Sequence, residues 1–129
     1  MRHPILVVDN RRSTRDALVQ VLDDEGFVGI PAATDREALD YLRTGGRASV
    51  ILHNWMASEA GESPFRRAQQ ADPILAKIPV IALSPLENRP VSGRTGHPAL
   101  PRPIDFDALL LIVRRLCWDE APRILQMAG

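Results

Sequence analysis

The sequence predicts an α/β fold, a doubly wound parallel sheet with helices on both faces. Two observations support this prediction. Short runs of β-branched and aliphatic residues alternate along the chain with stretches of helical apolar periodicity, which is the pattern of βαβ units. Three apolar runs, Ile5–Val8, Val50–Leu52 and Val80–Leu83, are each followed at once by a polar residue, as expected where parallel strands end at one edge of a sheet.

The composition fits one domain and excludes several classes of partner. The chain has 129 residues, and its 16 basic and 16 acidic side chains give a net charge of zero, which offers no bulk attraction to nucleic acid or to an anionic membrane. No run approaches the roughly 20 apolar residues that span a bilayer. Cys117 is the sole cysteine, so an internal disulfide is excluded, and we expect a core thiol in a cytoplasmic protein.

The first strand is followed by a predicted helix, which Ser13 or Thr14 caps and Gly26 ends. A second strand is expected over Phe27–Ile30. The helical repeat predicts a buried face that consists of Ala17, Leu18, Val21 and Leu22.

The second helix begins with the spacing of a capping box, from Thr34 to Glu37. In this motif the threonine hydroxyl and the glutamate carboxylate both accept hydrogen bonds from backbone amides. Gly45 and Gly46 are expected to end the helix. Its predicted core residues are Ala38, Leu39 and Leu42.

Prolines mark the boundaries in the second half of the chain. The segment Asn54–Glu62 is predicted to be a loop, and Ser63 with Pro64 to open a third helix that ends at Asp72-Pro73. Residues 85–103 contain five prolines and two glycines, so no regular helix is expected there. A short fifth strand is predicted at Ala99-Leu100.

Asp105 is predicted to cap a last helix, and Pro122 separates that helix from the final residues of the chain. We therefore expect one domain over residues 1–119 and a short C-terminal tail over residues 120–129. The predicted core face of the last helix consists of Phe106, Leu109, Leu110, Val113, Leu116 and Cys117.

Polar side chains are expected to converge where the parallel strands end. Asp9 and Asn10 follow the first strand, His53 follows the third and Ser84 follows the fourth. In an open parallel sheet this edge is the usual place for a site.

With these residues in place, the sequence resembles a response-regulator receiver domain, the phosphoryl-accepting module of bacterial two-component systems. Three segments carry the resemblance: Ile5–Asp9, Asp72–Ser84 and Pro101–Asp105. The resemblance implies a flavodoxin-like receiver fold with a five-stranded parallel sheet of order 2-1-3-4-5. The helix before the fifth strand, the fourth of this fold, is expected to be reduced or missing.

The receiver family holds Mg²⁺ with an acidic pair and accepts the phosphoryl group on an aspartate, assisted by a hydroxyl and a lysine. The resemblance places Asp9 and Asn10 at the acidic pair, and His53 at the phosphoacceptor position, which is thereby lost. It places Ser84 at the hydroxyl position and Arg102 at the lysine position. One carboxylate remains of three, so Mg²⁺ binding is expected to be lost or weak. Arg102 is expected within ion-pair distance of Asp9.

This combination predicts an atypical receiver, or pseudo-receiver, that is not an enzyme and signals through phosphorylation-independent protein–protein interaction. Two alternatives stay open: phosphorylation by an unusual route, and small-molecule sensing in the vacant pocket. His53 itself is open to three interpretations, as a residue that fills an unused pocket, as a pH sensor, or as a transition-metal ligand with Asp9.

Leu111 and Trp118 lie seven positions apart on the last helix, on the side away from its predicted core face. An exposed pair of this kind predicts a partner surface. The alternative is that the tail covers it with Ile124 and Leu125. The expected partner is a protein, a histidine kinase or an output protein, and a homodimer through the last helix is also an expectation. Neither nucleic acid nor a membrane is expected as a partner.

Overall fold

The computed structural model describes residues 2–54, 64–83, 99–100 and 105–118. Five parallel strands form one sheet of order β2-β1-β3-β4-β5, which confirms the predicted topology. The strands are β1 (Pro4–Val8), β2 (Val28–Ala32), β3 (Val50–Asn54), β4 (Val80–Leu83) and β5 (Ala99–Leu100). The helices are α1 (Arg12–Asp24), α2 (Asp35–Arg43), α3 (Pro64–Ala71) and α4 (Phe106–Trp118), with a 3₁₀ turn over Leu75–Lys77. Among the described helices, none is long and apolar enough to cross a membrane.

The sheet separates two apolar layers, because successive side chains of a strand point to opposite faces. Helices α1 and α4 cover one face, and α2 and α3 cover the other. The strand residues on the α1/α4 face are Ile5, Val7, Val50, Leu52, Ile81 and Leu83. Those on the α2/α3 face are Leu6, Val8, Ala32, Ile51 and Val80. This alternation determines where the polar residues at the strand ends point.

Helix α1 begins earlier than predicted, and neither Ser13 nor Thr14 caps it. The N-cap residue is Arg11, which makes no capping bond through its own side chain. Instead, the carboxylate of Asp9 accepts a hydrogen bond from the Arg11 amide at 2.8 Å, which closes an Asx turn just before the helix. The prediction that Ala17 is buried is also wrong, since the burial of Leu18 and Leu22 leaves Ala17 on the exposed side of the helix.

Helix α2 has the predicted cap. The Thr34 hydroxyl accepts a hydrogen bond from the Glu37 amide at 3.1 Å, and the Glu37 carboxylate accepts one from the Ala33 amide at 3.5 Å. At the other end Gly45 has a φ of +98°, a left-handed conformation that glycine adopts without strain and that ends a helix. Gly26 ends α1 in the same way, with a φ of +92°.

Helix α3 begins at Pro64, as predicted, and the chain after it is fixed by one buried amide. Gln69 is 1% exposed, and its Nε2 donates to the carbonyl oxygens of Leu75 and Ile78 at 2.8 and 2.9 Å. The Asp72 carboxylate accepts a hydrogen bond from the Ile74 amide at 2.9 Å. The 3₁₀ turn that these bonds stabilise leads directly into β4.

Helix α4 is capped by Asp105, whose carboxylate accepts hydrogen bonds from the amides of Asp107 and Ala108 at 3.0 and 3.2 Å. Phe106 is 38% exposed, so its predicted place in the core is wrong, because it precedes the turn that reaches the sheet. The helix packs on the sheet through Leu109, Leu110, Val113 and Cys117, with Leu116 partly buried. The predicted reduction of the helix before β5 concerns residues 84–98, which lie outside the described part of the chain.

Candidate functional site at the carboxyl edge of the sheet

Asp9 lies at the end of β1, where it is 1% exposed. Its Oδ1 accepts two hydrogen bonds, from the Arg11 amide at 2.8 Å and from the Asn54 side-chain amide at 2.9 Å. Its backbone is also held: the amide donates to the Ala32 carbonyl at 3.0 Å, and the carbonyl accepts from the Arg15 guanidinium at 2.9 Å. Asp9 therefore connects three strands and the start of α1.

Asn54 is the last residue of β3 and is 6% exposed. Val8 is level with His53 in the β1–β3 pairing, so the next residues, Asp9 and Asn54, stand side by side. The side chains of Asp9 and Asn54 both point to the α1/α4 face, because Asp9 is in phase with Val7 of β1 and Asn54 with Leu52 of β3. The Asn54 Nδ2 donates to Asp9, while its buried Oδ1 has no hydrogen-bond partner among the described residues. The pair is thus a buried carboxylate and a buried amide in direct contact.

His53 points to the opposite face of the sheet. Its Nε2 lies 2.9 Å from the Oδ1 of Asp35, the first residue of α2, and its ring stacks on Phe65 of α3 at a centroid distance of 4.9 Å. His53 was expected in the same pocket as Asp9. That placement needs correction: β3 continues through Asn54, and the alternation of side chains brings Asn54 to Asp9 and turns His53 toward α2 and α3.

The position of a proton on Nε2 of His53 follows from its hydrogen bond to Asp35. A carboxylate only accepts hydrogen bonds, so Nε2 carries the proton that is donated to Asp35. Nδ1 is buried and has no hydrogen-bond partner among the described residues. Since the ring is 1% exposed, Asp35 and Phe65 fix its position from two sides.

The remaining predicted site residues are only partly within the described chain. Asn10 follows Asp9 and is exposed. Ser84 and Arg102 lie outside the described residues, so the Asp9–Arg102 ion pair stays a prediction. Leu111 and Trp118 are 55% and 47% exposed on α4. The Trp118 ring is not wholly free, because it packs edge-on against His3 and Phe27 at centroid distances of 5.0 and 5.7 Å.

Asn54 is the residue that sequence reasoning missed at this edge. The signal was available in the alternation of β3, since Asn54 is in phase with Val50 and Leu52, whereas His53 is in phase with Ile51. An amide here can donate and accept hydrogen bonds but carries no charge. In the described part of the chain, no group of three or more His, Cys, Asp or Glu side chains is arranged to hold a metal ion.

Sequence comparison finds relatives of two kinds, an uncharacterised protein and response regulators. No protein-family model matches the chain. An uncharacterised 14.6 kDa protein of Leptolyngbya boryana is 30% identical over 122 residues, 92% of each chain. A putative NtrX-like response regulator of Rickettsia bellii is 24% identical over 116 residues, which are 88% of this chain and 24% of that protein. The chain thus spans about a quarter of the length of that relative.

The solved structures agree with the sequence comparisons. A response-regulator receiver protein from Pseudomonas putida superimposes with a TM-score of 0.74 at 25% identity, over 89% of this chain and 98% of that one. The chemotaxis protein CheY4 of Vibrio cholerae superimposes with the same TM-score at 24% identity, which supports the fold.

Proposed function

Because the chain belongs to the receiver-domain family of response regulators, we propose that it is a signalling module that works without phosphorylation, through binding to another protein rather than through catalysis. The observation that supports this proposal is the buried contact between Asp9 and Asn54. In receivers, an aspartate after the third strand completes the metal site together with the acids after the first strand. The side chain at the end of β3 that meets the β1 acid is Asn54, so we assign Asn54 to the phosphoacceptor position.

An asparagine at this position removes the chemistry of phosphoryl acceptance. A carboxylate attacks phosphorus with an anionic oxygen, whereas the amide oxygen of Asn54 is neutral and its nitrogen donates to Asp9. His53 does not replace it, because the ring lies on the other face of the sheet in contact with Asp35 and Phe65. The loss of phosphoryl acceptance therefore follows from Asn54. His53 takes the role of a structural residue between β3 and α2.

The same contact argues against a strong Mg²⁺ site. Mg²⁺ prefers several hard oxygen ligands in octahedral geometry. Of the residues at this edge that the structure describes, Asp9 supplies a carboxylate whose Oδ1 already accepts two hydrogen bonds, while Asn10 and Asn54 are amides. This donor set does not fit the ion, and we propose that Mg²⁺ binds weakly or not at all. The Asn54 amide instead stabilises the Asp9 carboxylate directly.

The experiment is intact-mass spectrometry after incubation with acetyl phosphate and Mg²⁺. Native protein should remain unmodified. Asn54→Asp, and more completely the Asn10→Asp/Asn54→Asp double variant, should gain one phosphoryl group, because each restores a carboxylate that the family uses. His53→Asp is the matched control at the neighbouring position and should gain none. A phosphoryl adduct on the native chain would overturn the proposal, and an adduct on His53→Asp alone would refute our assignment of the position.

Thermal unfolding gives a second readout of the same proposal. Two adjacent buried carboxylates repel each other, so Asn54→Asp should lower the melting temperature without metal and Mg²⁺ should recover it by binding the folded state. Mg²⁺ should leave the native melting temperature unchanged. A Mg²⁺-dependent rise in the native protein equal to that of the variant would contradict the weak-binding proposal.

We propose helix α4 as the surface that contacts the protein partner, either a histidine kinase or an output protein in the cytoplasm. Leu111 and Trp118 expose apolar area there, next to Arg114 and Arg115. Leu111→Glu should abolish partner binding or homodimerisation without unfolding, because Leu111 is 55% exposed. Sedimentation velocity of the native protein and of the Leu111→Glu variant distinguishes a homodimer from a monomer. Unchanged assembly and unchanged partner binding in Leu111→Glu would exclude this surface.

A further inference from the structure

A second cleft lies at the opposite edge of the sheet, away from Asp9 and Asn54. It has a volume of about 560 Å³ and is open to solvent. The cleft is bounded by the start of β1, the residues before β3, the end of α2 and the 3₁₀ turn before β4. Its volume falls within the range of roughly 300–1,000 Å³ that is usual for small-molecule sites.

Both side walls of the cleft are held by hydrogen bonds before any ligand enters. On one side, the Tyr41 hydroxyl donates to the Arg47 carbonyl at 2.7 Å and accepts from the Arg47 amide at 3.1 Å. Gly46 passes under the Tyr41 ring so closely that a Cβ there would clash with it. On the other side, Gln69 holds the turn at Leu75 and Ile78. A cleft with fixed walls loses little entropy when it binds a ligand.

The lining combines aliphatic side chains with basic and polar ones. Aliphatic side chains form the floor and one rim: Leu42, Leu75, Ile78 and the 77% exposed Ile74. Arg2 and Arg47 are exposed at the mouth, and no aspartate or glutamate is among the described lining residues. The Ser49 hydroxyl lies 3.1 Å from the Nδ1 of His3, which places two further hydrogen-bonding side chains in the cleft.

The carboxyl end of α2 also borders the cleft, and its partial negative charge would oppose an anion. This charge is reduced, because the amides of Thr44, Gly45 and Gly46 donate to the last carbonyl groups of the helix. The positive charge among the described lining residues therefore comes from Arg2 and Arg47, which belong to two separate segments of the chain.

We propose that this cleft binds a small carboxylate with an aliphatic body, with the apolar part on the Leu42–Leu75–Ile78 floor and the carboxylate between Arg2 and Arg47. Charge complementarity supports the anionic head, and the aliphatic floor supports the apolar body. The proposal does not depend on phosphorylation and concerns neither Asp9 nor Asn54.

The test uses octanoate, below its micellar concentration, as the probe and 1-octanol as a neutral compound of the same length. Backbone ¹H–¹⁵N spectra of the full chain should show saturable shifts at Arg47, Ser49, Ile74 and Ile78 with octanoate. Octanol should bind more weakly. Removing two partly solvated ion pairs with the Arg2→Gln/Arg47→Gln variant should raise the octanoate Kd about tenfold, equivalent to about 1.4 kcal/mol, and leave the octanol Kd unchanged.

Two further variants make the test specific. Arg36→Gln removes an exposed arginine that does not line the cleft and should not change the octanoate Kd. Ile74→Ser should weaken both probes, since it removes the exposed part of the apolar wall without opening the core. Absence of saturable shifts, equal binding of octanol, shifts confined to the Asp9–Asn54 edge, or an unchanged Kd in the double arginine variant would each overturn the proposal.

Discussion

The contact between His53 and Asp35 predicts that one substitution, Asp35→Ala, has very different effects in two backgrounds. In the native chain, His53 is 1% exposed and its described hydrogen bond is the one to Asp35. Asp35→Ala therefore leaves a buried imidazole with no replacement for that bond, which costs about 1–3 kcal/mol. Loss of an acid from the first turn of α2 adds about 0.3–1 kcal/mol. We expect a total near 2–3 kcal/mol.

The second background is His53→Leu, which removes the buried polar group and keeps an apolar side chain against Phe65. It also removes Nδ1, which is buried without a described partner. The Asp35 side chain is 30% exposed, so water can take the place of the imidazole. His53→Leu alone should therefore change the free energy of unfolding by less than about 1 kcal/mol. In this background Asp35→Ala should lower the free energy of unfolding by only about 0.5 kcal/mol, because it removes only the favourable interaction of an acid with the amino terminus of α2.

Urea denaturation followed by far-UV circular dichroism measures the four proteins. With a slope of about 2 kcal/mol per molar urea, the 2 kcal/mol difference between backgrounds corresponds to about 1 M in the midpoint. Asp40→Ala, an exposed acid on the same helix, is the control and should cost less than about 0.5 kcal/mol in both backgrounds. Equal costs of Asp35→Ala in the two backgrounds would refute an energetic coupling between Asp35 and His53.

Two other predictions concern the thiol and the helix cap. Burial raises the pKa of Cys117 from 9.0 to about 11, so the unfolded thiol ionises while the folded one stays protonated. The free energy of unfolding should therefore fall by about 2 kcal/mol between pH 9 and 11 relative to Cys117→Ala, as measured by urea titration; parallel profiles would contradict this. Thr34→Ala should lower the free energy of unfolding by about 1 kcal/mol in the same assay, because the Thr34 hydroxyl accepts a hydrogen bond from the Glu37 amide. The control Ser13→Ala should lower it by less than about 0.5 kcal/mol, since Ser13 does not cap α1. Equal costs of the two substitutions would show that the cap contributes nothing.

The fold was largely predictable because its signals are local. Pro64 at the start of α3, Gly45 after α2 and the Asp105 cap each act within a few residues, so the sequence alone locates these three boundaries. The start of α1 was not predictable in this way. Asp9 accepts the Arg11 amide because β1 holds that carboxylate in place, and this depends on the sheet rather than on the helix.

The sequence predicts the edge of the sheet at which the candidate site lies, but not which residue of β3 contacts Asp9. The convergence of strand ends predicts a cluster of polar side chains at the edge where Asp9 and Asn54 meet. The partner of Asp9 is Asn54 and not the neighbouring His53, because a step of one residue along a strand reverses the face to which the side chain points. The second cleft had no local signal, because His3 and Ser49 are brought together only by the pairing of β1 with β3.

The opposite orientation of His53 and Asn54 has an evolutionary consequence. The sheet lies between the two side chains, so selection can act on each position with little effect on the other. Among the described residues Asn54 bonds to Asp9, so its replacement acts on that contact and leaves intact the packing of His53 on Phe65 and its bond to Asp35. A lineage could therefore lose or regain a carboxylate at the edge by one substitution, without rebuilding the layer formed by α2 and α3.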